Sequence, residues 1–397
     1  MKHLKTVFNA LRWGFLTFIT GFSAPVAAQD DSTLLAMDSV EISLLTCQPH
    51  DEVYSLYGHT AIRFHDFHKK DGIDVAFNYG VFNFHAPHFV ARFVFGLTDY
   101  ELGAYPYHLF QREYRHFGSM VTEQVLNLTA QEKLQLREAL SNNLRPENRI
   151  YRYNYFYNNC TTKARDIIEQ CISGKVEYAG REDYTPSYRE MVHEMTRRNP
   201  WSQWGNDLLL GIKADQPTTL RQQEFLPQNL MYDFDRAKIF VNGTYRPLVK
   251  ERRVGVPAGV QLHEPGFPLS PIQCFMALLA VGLILFFIQW RKHCIFIAWE
   301  VLLMLATGVI GIVLTLMLFS QHPTVSLNLQ IILFNPLPWL FLWPVVKGKK
   351  TIYWRITAAL CCFFLAGGLF QSYAEGIWSL ALCLLLQSIL HIDRLRK

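Results

Sequence analysis

The stretch YRYNYFYNNCTTKARDIIEQCIS, Tyr151–Ser173, starts as an extended aromatic run, stops at two asparagines and a cysteine, and then takes on helical spacing. Ala164, Ile167, Ile168, Cys171 and Ile172 recur at i, i+3, i+4, i+7 and i+8, whereas Lys163, Arg165, Asp166 and Glu169 fall on other faces. This spacing predicts an amphipathic helix with Cys160 in its first turn. Unpaired N–H groups and the positive end of the helix dipole there favour thiolate over thiol, the form a sulfur nucleophile needs. The competing reading is an inert cysteine packed as a small hydrophobe.

Upstream, SVEISLLTCQ (Ser39–Gln48) and SLYGHTAIRFHD (Ser55–Asp66) read as strands, the second entered through Gly58 and opened by His59. Alternation puts His59, Ala61 and Arg63 on one face and Thr60, Ile62 and Phe64 on the other. The imidazole then lies opposite the more apolar face, as suits a site-facing base. A surface or satisfied core histidine fits the same position, and His65, His68, His85, His88, His108 and His116 compete for the role. IDVAFNYGVFNF (Ile73–Phe84) reads as a third strand after the charged turn HKKDG. The aromatic stretch HAPHFVARFVFGLTDYELGAYPYHLF follows, either core and lid or a surface that grips acyl chains or lies on a bilayer. Met120–Leu128 is a further strand, and Thr129 with Glu132 makes a capping-box pattern opening a helix over Ala130–Leu144, ended by Pro146.

Beyond Ser173 come a turn-rich linker, a short helix over Tyr188–Arg197, and a loop from Pro200-Trp201 through GIKADQPTT. A helix over Phe225–Lys238 and a β-turn at Asn242-Gly243 between short strands complete this part. Five apolar segments follow, about Ile272–Trp290, Ile295–Phe319, Leu329–Val346, Ile352–Phe370 and Gly376–Ile392. Basic residues fall in RKH at 291–293, KGKK at 347–350 and Arg394–Lys397, while SQHPTVSLN and QSYAE carry none, which makes the basic loops cytoplasmic and leaves everything before Ile272 outside. The outer loop SQHPTVSLNLQIILFNPLP sets His322, Asn328 and Asn335 at the membrane edge beside Pro323, Pro336 and Pro338. Polar groups and helix breakers at that depth need local partners or a wet cavity, marking either a functional site or a re-entrant structural loop.

The first 28 residues combine Lys2, Lys5 and Arg12, a short apolar run to Phe22 and a small-residue end at Val26-Ala27-Ala28, the pattern of a cleaved signal peptide. The chain of 397 residues therefore divides into a signal peptide (1–28), an exported α+β domain (29–268) and an all-α bundle of about five transmembrane helices (269–397). Its net charge of +5 is spread out rather than gathered in a patch, which excludes a nucleic-acid partner. Of eight cysteines, Cys47, Cys160 and Cys171 lie in the exported part. At ~1.5 Å rise per helical residue Cys160 and Cys171 are roughly 16 Å apart, beyond disulfide reach, so any bridge must use Cys47. With no CxxC pair, HExxH, P-loop or GxSxG, neither a metal nor a cofactor is expected.

The set YGHTAIRF, FNYGVFNF, YNYFYNNCTTKARDII and HPTVSLNLQIILFNPLP resembles the Lnb family of bacterial lipoprotein N-acyltransferases over nearly the whole mature chain, NNCTTKARD after an aromatic run being its most specific part. The resemblance implies a permuted papain-like domain of the NlpC and lecithin:retinol acyltransferase type, in which a strand histidine precedes a helix-borne cysteine. It implies Cys160 as nucleophile, His59 as its base, and a multi-pass protein of the bacterial inner membrane with its catalytic domain in the periplasm. The implied partners are a phospholipid acyl donor and an apolipoprotein acceptor.

The chemistry stands beside the resemblance. Moving an acyl chain from an ester to an amine is easiest in two steps, thiolate attack and then aminolysis of the thioester. His59 would carry the protons, amides at Thr161 or Thr162 would hold the oxyanion, and Asn78 would orient the imidazole. Asn159 and Thr161 at the helix start, and His322, Asn328 and Asn335 in the outer loop, are the expected substrate-binding residues. The loop is expected to position the lipid headgroup, with the catalytic domain resting on it. A membrane-tethered periplasmic cysteine peptidase or amidase is the alternative enzyme, and a non-enzymatic receptor or scaffold the third class.

Overall fold

The strands are β1 (Val40–Cys47), β2 (His59–Asp66), β3 (Asp74–Val81), β4 (Asp99–Pro106), β5 (Val121–Leu126), β6 (Ile150–Arg152), β7 (Lys175–Glu177), β8 (Lys238–Val241), β9 (Thr244–Pro247) and β10 (Val249–Val256). In this computed structural model, which describes residues 31–396 apart from 53–54, 68–71, 83–86, 182, 262–265 and 350, they form two antiparallel sheets. The larger has the order β10-β5-β1-β2-β3-β4-β6, and the smaller is β7-β8-β9. The expected signal peptide, and His68 and His85, lie outside the described residues.

Both faces of the large sheet are covered. Helices α1 (Phe89–Val94), α2 (Tyr107–His116), α3 (Ala130–Leu144), α4 (Cys160–Gln170), α5 (Tyr188–Thr196), α6 (Pro200–Leu209) and α7 (Pro227–Arg236) supply the exported part. Ile42, Leu44, Ile62, Phe64, Val75 and Phe77 pack under Leu134, Leu136 and Leu140 of α3, Ala164, Ile167 and Ile168 of α4, and Leu230 and Phe234 of α7. On the opposite face Leu45, Cys47, Ala61 and Ala76 meet Tyr107, Phe110 and Tyr114 of α2. Burial on both sides is why β1 is apolar at adjacent positions, Leu44 and Leu45 both being fully buried. At the start of α3 the Thr129 hydroxyl accepts from the Glu132 N–H and the Glu132 carboxylate accepts from the Thr129 N–H, a reciprocal cap worth about 1 kcal/mol.

Several elements differ from expectation. The aromatic stretch holds α1, β4 and α2, with Leu102 of β4 in the core on one face of the sheet and Tyr107 of α2 in the core on the other. Residues 200–209 are a helix, α6, with Pro200 at a position where a missing N–H costs nothing. The run VKERRVGV is an edge strand of the large sheet, charged because an edge faces water. Every described cysteine is a free thiol, so no bridge through Cys47 forms among the described residues.

The C-terminal part consists of α8 (Pro271–Lys292), α9 (Ile297–Met317), α10 (Leu337–Val346), α11 (Tyr353–Gly367) and α12 (Ile377–Arg396). Three stretches, Pro271–Lys292, Ile297–Met317 and Leu329–Val346, are long and apolar enough to cross a membrane, while Tyr353–Gly367 and Ile377–Ile392 are apolar but shorter. Its loop between α9 and α10 meets the sheet domain directly. Gly211 N–H donates to Thr324 O at 2.9 Å and Ile212 N–H to Leu327 O at 3.2 Å. The Asn328 amide donates to Leu208 O at 2.8 Å and Gln330 to Asp207 O at 2.8 Å, and Gln371, in the loop after α11, donates to Leu210 O at 3.1 Å. A second contact joins Gln321 N–H to Phe95 O at 3.0 Å, just after α1. Backbone and amide groups thus tie the sheet domain to this loop at two places.

Candidate active site

Asn159 starts the helix that carries Cys160. Its Oδ1 accepts from the N–H groups of Thr161 and Thr162 at 3.0 and 2.9 Å, and its Nδ2 donates to Tyr155 O and Phe225 O at 3.1 and 2.9 Å. That occupancy corrects two expectations. Asn159, buried and fully bonded, caps the helix and has no group left for substrate, and the amides of Thr161 and Thr162 are not available to an oxyanion. Cys160 N–H, the next amide at the positive helix end, donates to no group among the described residues. Thr161 is fully buried, with its hydroxyl 3.1 Å from that of Thr60 and 3.8 Å from Cys160 Sγ. It binds the strand and the sulfur rather than facing outward.

The histidine arrives from β2. Gly58 takes a φ of +75°, and a Cβ there would lie 2.6 Å from Cys47 O, so only glycine makes the close turn that starts β2 at His59. His59 Nε2 lies 2.5 Å from Asn78 Oδ1, which makes Nε2 the protonated nitrogen and leaves Nδ1 toward the sulfur. The Asn78 amide is fixed in turn, because its Nδ2 donates to the Tyr105 hydroxyl at 2.7 Å. Gly80 makes the space: a Cβ there would stand 2.7 Å from His59 Cε1 and 3.1 Å from Asn78 Oδ1.

Charge follows this geometry. Burial pushes the Cys160 thiol up, but the neighbouring His59 imidazolium, its hydrogen bond, the Thr60 backbone N–H and the Thr161 hydroxyl together bring it down to about 7. Burial likewise pushes His59 down, and the Cys160 charge, the bond to Cys160 and the bond to Asn78 outweigh it, so the imidazole is raised. The two shifts describe one thiolate–imidazolium pair. The other exported cysteines behave oppositely: burial lifts Cys47 well above the usual thiol range and Cys171 to about 11. Only Cys160 of the three is set up to ionise near neutral pH.

The structure therefore brings Cys160, His59 and Asn78 together and keeps the outer-loop residues apart from them. His322 Nε2 lies 3.2 Å from Phe93 O. Asn328 is buried in the contact with Leu208, and its Oδ1 accepts from Gln330 N–H and the Gln371 amide, both at 3.0 Å. Asn335 donates to Ile332 O at 3.0 Å and accepts from Leu337 N–H at 3.1 Å, capping α10. None of the three shares a hydrogen bond with Cys160, His59 or Asn78. Sequence reading missed Gly80 and Tyr105. Of residues 78–80 the sequence points only to Asn78, and Tyr105 is 27 positions from the asparagine it holds. No group of His, Cys, Asp and Glu among the described residues is arranged to hold a metal ion.

Residues 30–194 match the Lnb N-terminal periplasmic domain and residues 263–397 the Lnb transmembrane domain. No curated protein and no solved structure matches the chain.

Proposed function

The chain belongs to the Lnb family, a membrane protein with an N-terminal periplasmic domain, and from that premise we propose that it N-acylates the terminal cysteine of bacterial lipoproteins with a phospholipid acyl chain. The observation that carries the reading is the Cys160–His59 pair in a domain hydrogen-bonded to the membrane-edge loop. A nucleophile whose substrate is an ester in a bilayer must work at the bilayer edge. A peptidase needs only an anchor, and the seam around Asn328 goes well beyond one.

In this reading the Cys160 thiolate attacks the ester carbonyl, and the tetrahedral oxyanion is held by Cys160 N–H at the helix start. The C–O bond breaks, the thioester forms, and the departing lysophospholipid alkoxide takes the proton from His59. The α-amine of the apolipoprotein then attacks the thioester, the C–S bond breaks, and His59 accepts the amine proton. Amide and thiolate–imidazolium pair are the products, so every proton is accounted for without a cofactor. Asn78 touches no reacting atom and acts by orienting His59. The fold we infer is papain-like in arrangement, with the histidine strand preceding the cysteine helix, and the site we infer to be periplasmic on a multi-pass inner-membrane protein.

Mass spectrometry of lipoprotein N-termini tests this in cells that depend on this protein, with the Cys160→Ser chain as the comparison. Serine keeps the size and loses the ionisation, so N-acyl groups should disappear at unchanged protein level, by roughly a thousandfold in rate. Unchanged N-acylation with Cys160→Ser, or in the absence of the protein, sinks the proposal. Loss of peptide cleavage instead of acylation transfers the site to the amidase reading.

A further inference from the structure

A series of rings runs from the neighbourhood of Cys160 to the membrane-edge loop. Tyr153 stacks on Tyr100 with centroids 4.0 Å apart, and Tyr100 stacks on Phe82 at 4.8 Å. Phe82 faces Phe89 of α1 at 5.8 Å, Phe89 lies 6.4 Å from Phe93 one turn on, and Phe93 lies 6.1 Å from His322. The far end is anchored, since Phe93 O bonds to His322 and Phe95 O to Gln321. At the near end, Tyr100 lies on β4, whose Gly103 is paired with Asn78 of β3, and Tyr153 leads through the Asn154–Asn158 bridge to Cys160 at the start of α4.

These stacked aromatics are partly buried and lie outside the main cores. None belongs to the buried clusters that hold the sheet, each keeps part of its surface open, and Phe93 is 39% exposed. An accessible, uncharged, continuous surface of this kind fits a long apolar chain. Beside it, Arg92 and Arg152 share the carboxylate of Asp99 at 2.7 and 2.6 Å, so that among the described residues this half-exposed group carries two cations on one anion. An apolar track flanked by this group matches an amphiphile with an acyl tail and an anionic head.

We propose that the rings from Tyr153 to His322 are the acyl-chain guide of the site, taking one chain of a membrane glycerophospholipid with its ester at Cys160 and its tail toward the loop. The phosphate faces the Arg92–Asp99–Arg152 group. This rests on the acyltransferase reading and adds the path by which the donor reaches the thiolate.

The test uses the purified full-length protein in detergent and measures the Cys160 acyl-thioester by peptide mass spectrometry. Dipalmitoyl- and dihexanoyl-phosphatidylethanolamine are compared as donors. In the Phe89→Ala, Phe93→Ala double variant the ratio of long-chain to short-chain rates should fall roughly tenfold, since two rings that touch only the longer tail are gone. If that variant does not accumulate, Phe93→Ala alone, which removes an exposed ring, gives a smaller fall in the same ratio. A ratio unchanged within about twofold overturns the guide while leaving the function intact. Equal losses with both lipids overturn it as well, showing the rings to be scaffold, and so does an unchanged ratio with slower transfer to an amine acceptor. If the wild-type protein forms no thioester with either lipid, the proposed function itself fails.

Discussion

His59 and His193 make the same bond and do different things. Each sets Nε2 on a side-chain oxygen, His59 on Asn78 at 2.5 Å and His193 on the Asp207 carboxylate at 2.8 Å. Around His193 every strong charge is already matched: Arg189 is buried between Asp207 and Asp215, and the backbone carbonyls of Asp207 and Leu208 accept from Gln330 and Asn328 of the membrane-edge loop. Around His59 the second nitrogen faces a thiol that burial would keep neutral. The first arrangement is a polar joint, fully satisfied and therefore rigid. The second leaves one ionisable pair poised near pH 7, which is what a joint avoids and a catalyst needs. What lies beside each imidazole, a carboxylate already paired with arginine or a thiol, separates the two roles.

The most damaging way to probe that contrast is to remove members of the pair. His59→Ala should cost nearly as much acylation as Cys160→Ala, about a thousandfold, with the double variant little worse, because members of one catalytic unit are not additive. The pH dependence gives a sharper readout. In the wild type, alkylation of Cys160 should rise with pH through about 7, where the thiolate forms. Without the imidazolium that holds it down, the midpoint must move up toward the range of a buried thiol. Additive losses, or a midpoint that stays put, would make His59 a residue of the fold only.

A smaller perturbation reaches the same pair through space. The Cβ added by Gly80→Ala would press on His59 Cε1 from 2.7 Å, turning the imidazole off the sulfur or off Asn78. Acylation should fall by roughly 10- to 100-fold, in line with a displacement of about an ångström in a catalytic group. The alkylation midpoint should rise with it. A Gly80→Ala enzyme of full activity would mean that the ring has room to spare.

The contrast also separates what was legible in the sequence from what was not. Cys160, the α4 periodicity and the Thr129–Glu132 cap depend on neighbours within one or two turns, and local pattern reports such neighbours directly. Asn78 followed from the general need to orient an imidazole, not from its own surroundings. Gly80 and Tyr105 matter only because β2, β3 and β4 lie side by side, a pairing that links residues far apart in the chain. The outer loop was legible only in part: Asn328 and Asn335 are polar at membrane depth, and sequence cannot distinguish a polar group awaiting substrate from one bonded to a neighbouring backbone. A strand whose polarity comes from an edge, such as β10, and a helix that carries Gly205 within it, such as α6, are likewise hidden from local pattern.

At the joint, Asn328→Ala takes one of two donors from Leu208 O, which keeps Gln330, and leaves the Gln330 N–H and the Gln371 amide without the lost amide oxygen. Leaving buried polar groups unpaired should lower stability by ~1–3 kcal/mol. The thermal midpoint in detergent should drop, and acylation should fall with the coupling of the domain to the membrane edge. The alkylation midpoint of Cys160 should not move, since nothing at Asn328 touches the pair. A shifted midpoint would show that joint and site are one network.

The least effect is expected at His322, where the contrast is most easily broken. Its imidazole makes a single bond, to Phe93 O at 3.2 Å, and burial pushes its ionisation below the usual histidine range, so it is neutral at pH 7 and carries no charge for a phosphate. His322→Ala therefore removes one neutral hydrogen bond, worth about 0.5–1.5 kcal/mol, and one ring at the end of the aromatic series. Acylation should fall only about three- to tenfold, by the tenfold-per-1.4-kcal/mol relation, with the wild-type pH profile retained. Protein level and Cys160 alkylation should be unchanged. His322→Phe, which restores the ring but not the bond, divides the loss between them: recovery credits the ring, and no recovery credits the anchor to Phe93. Should His322→Ala instead abolish acylation as Cys160→Ser does, the loop would belong to the chemistry and the division between joint and site would collapse.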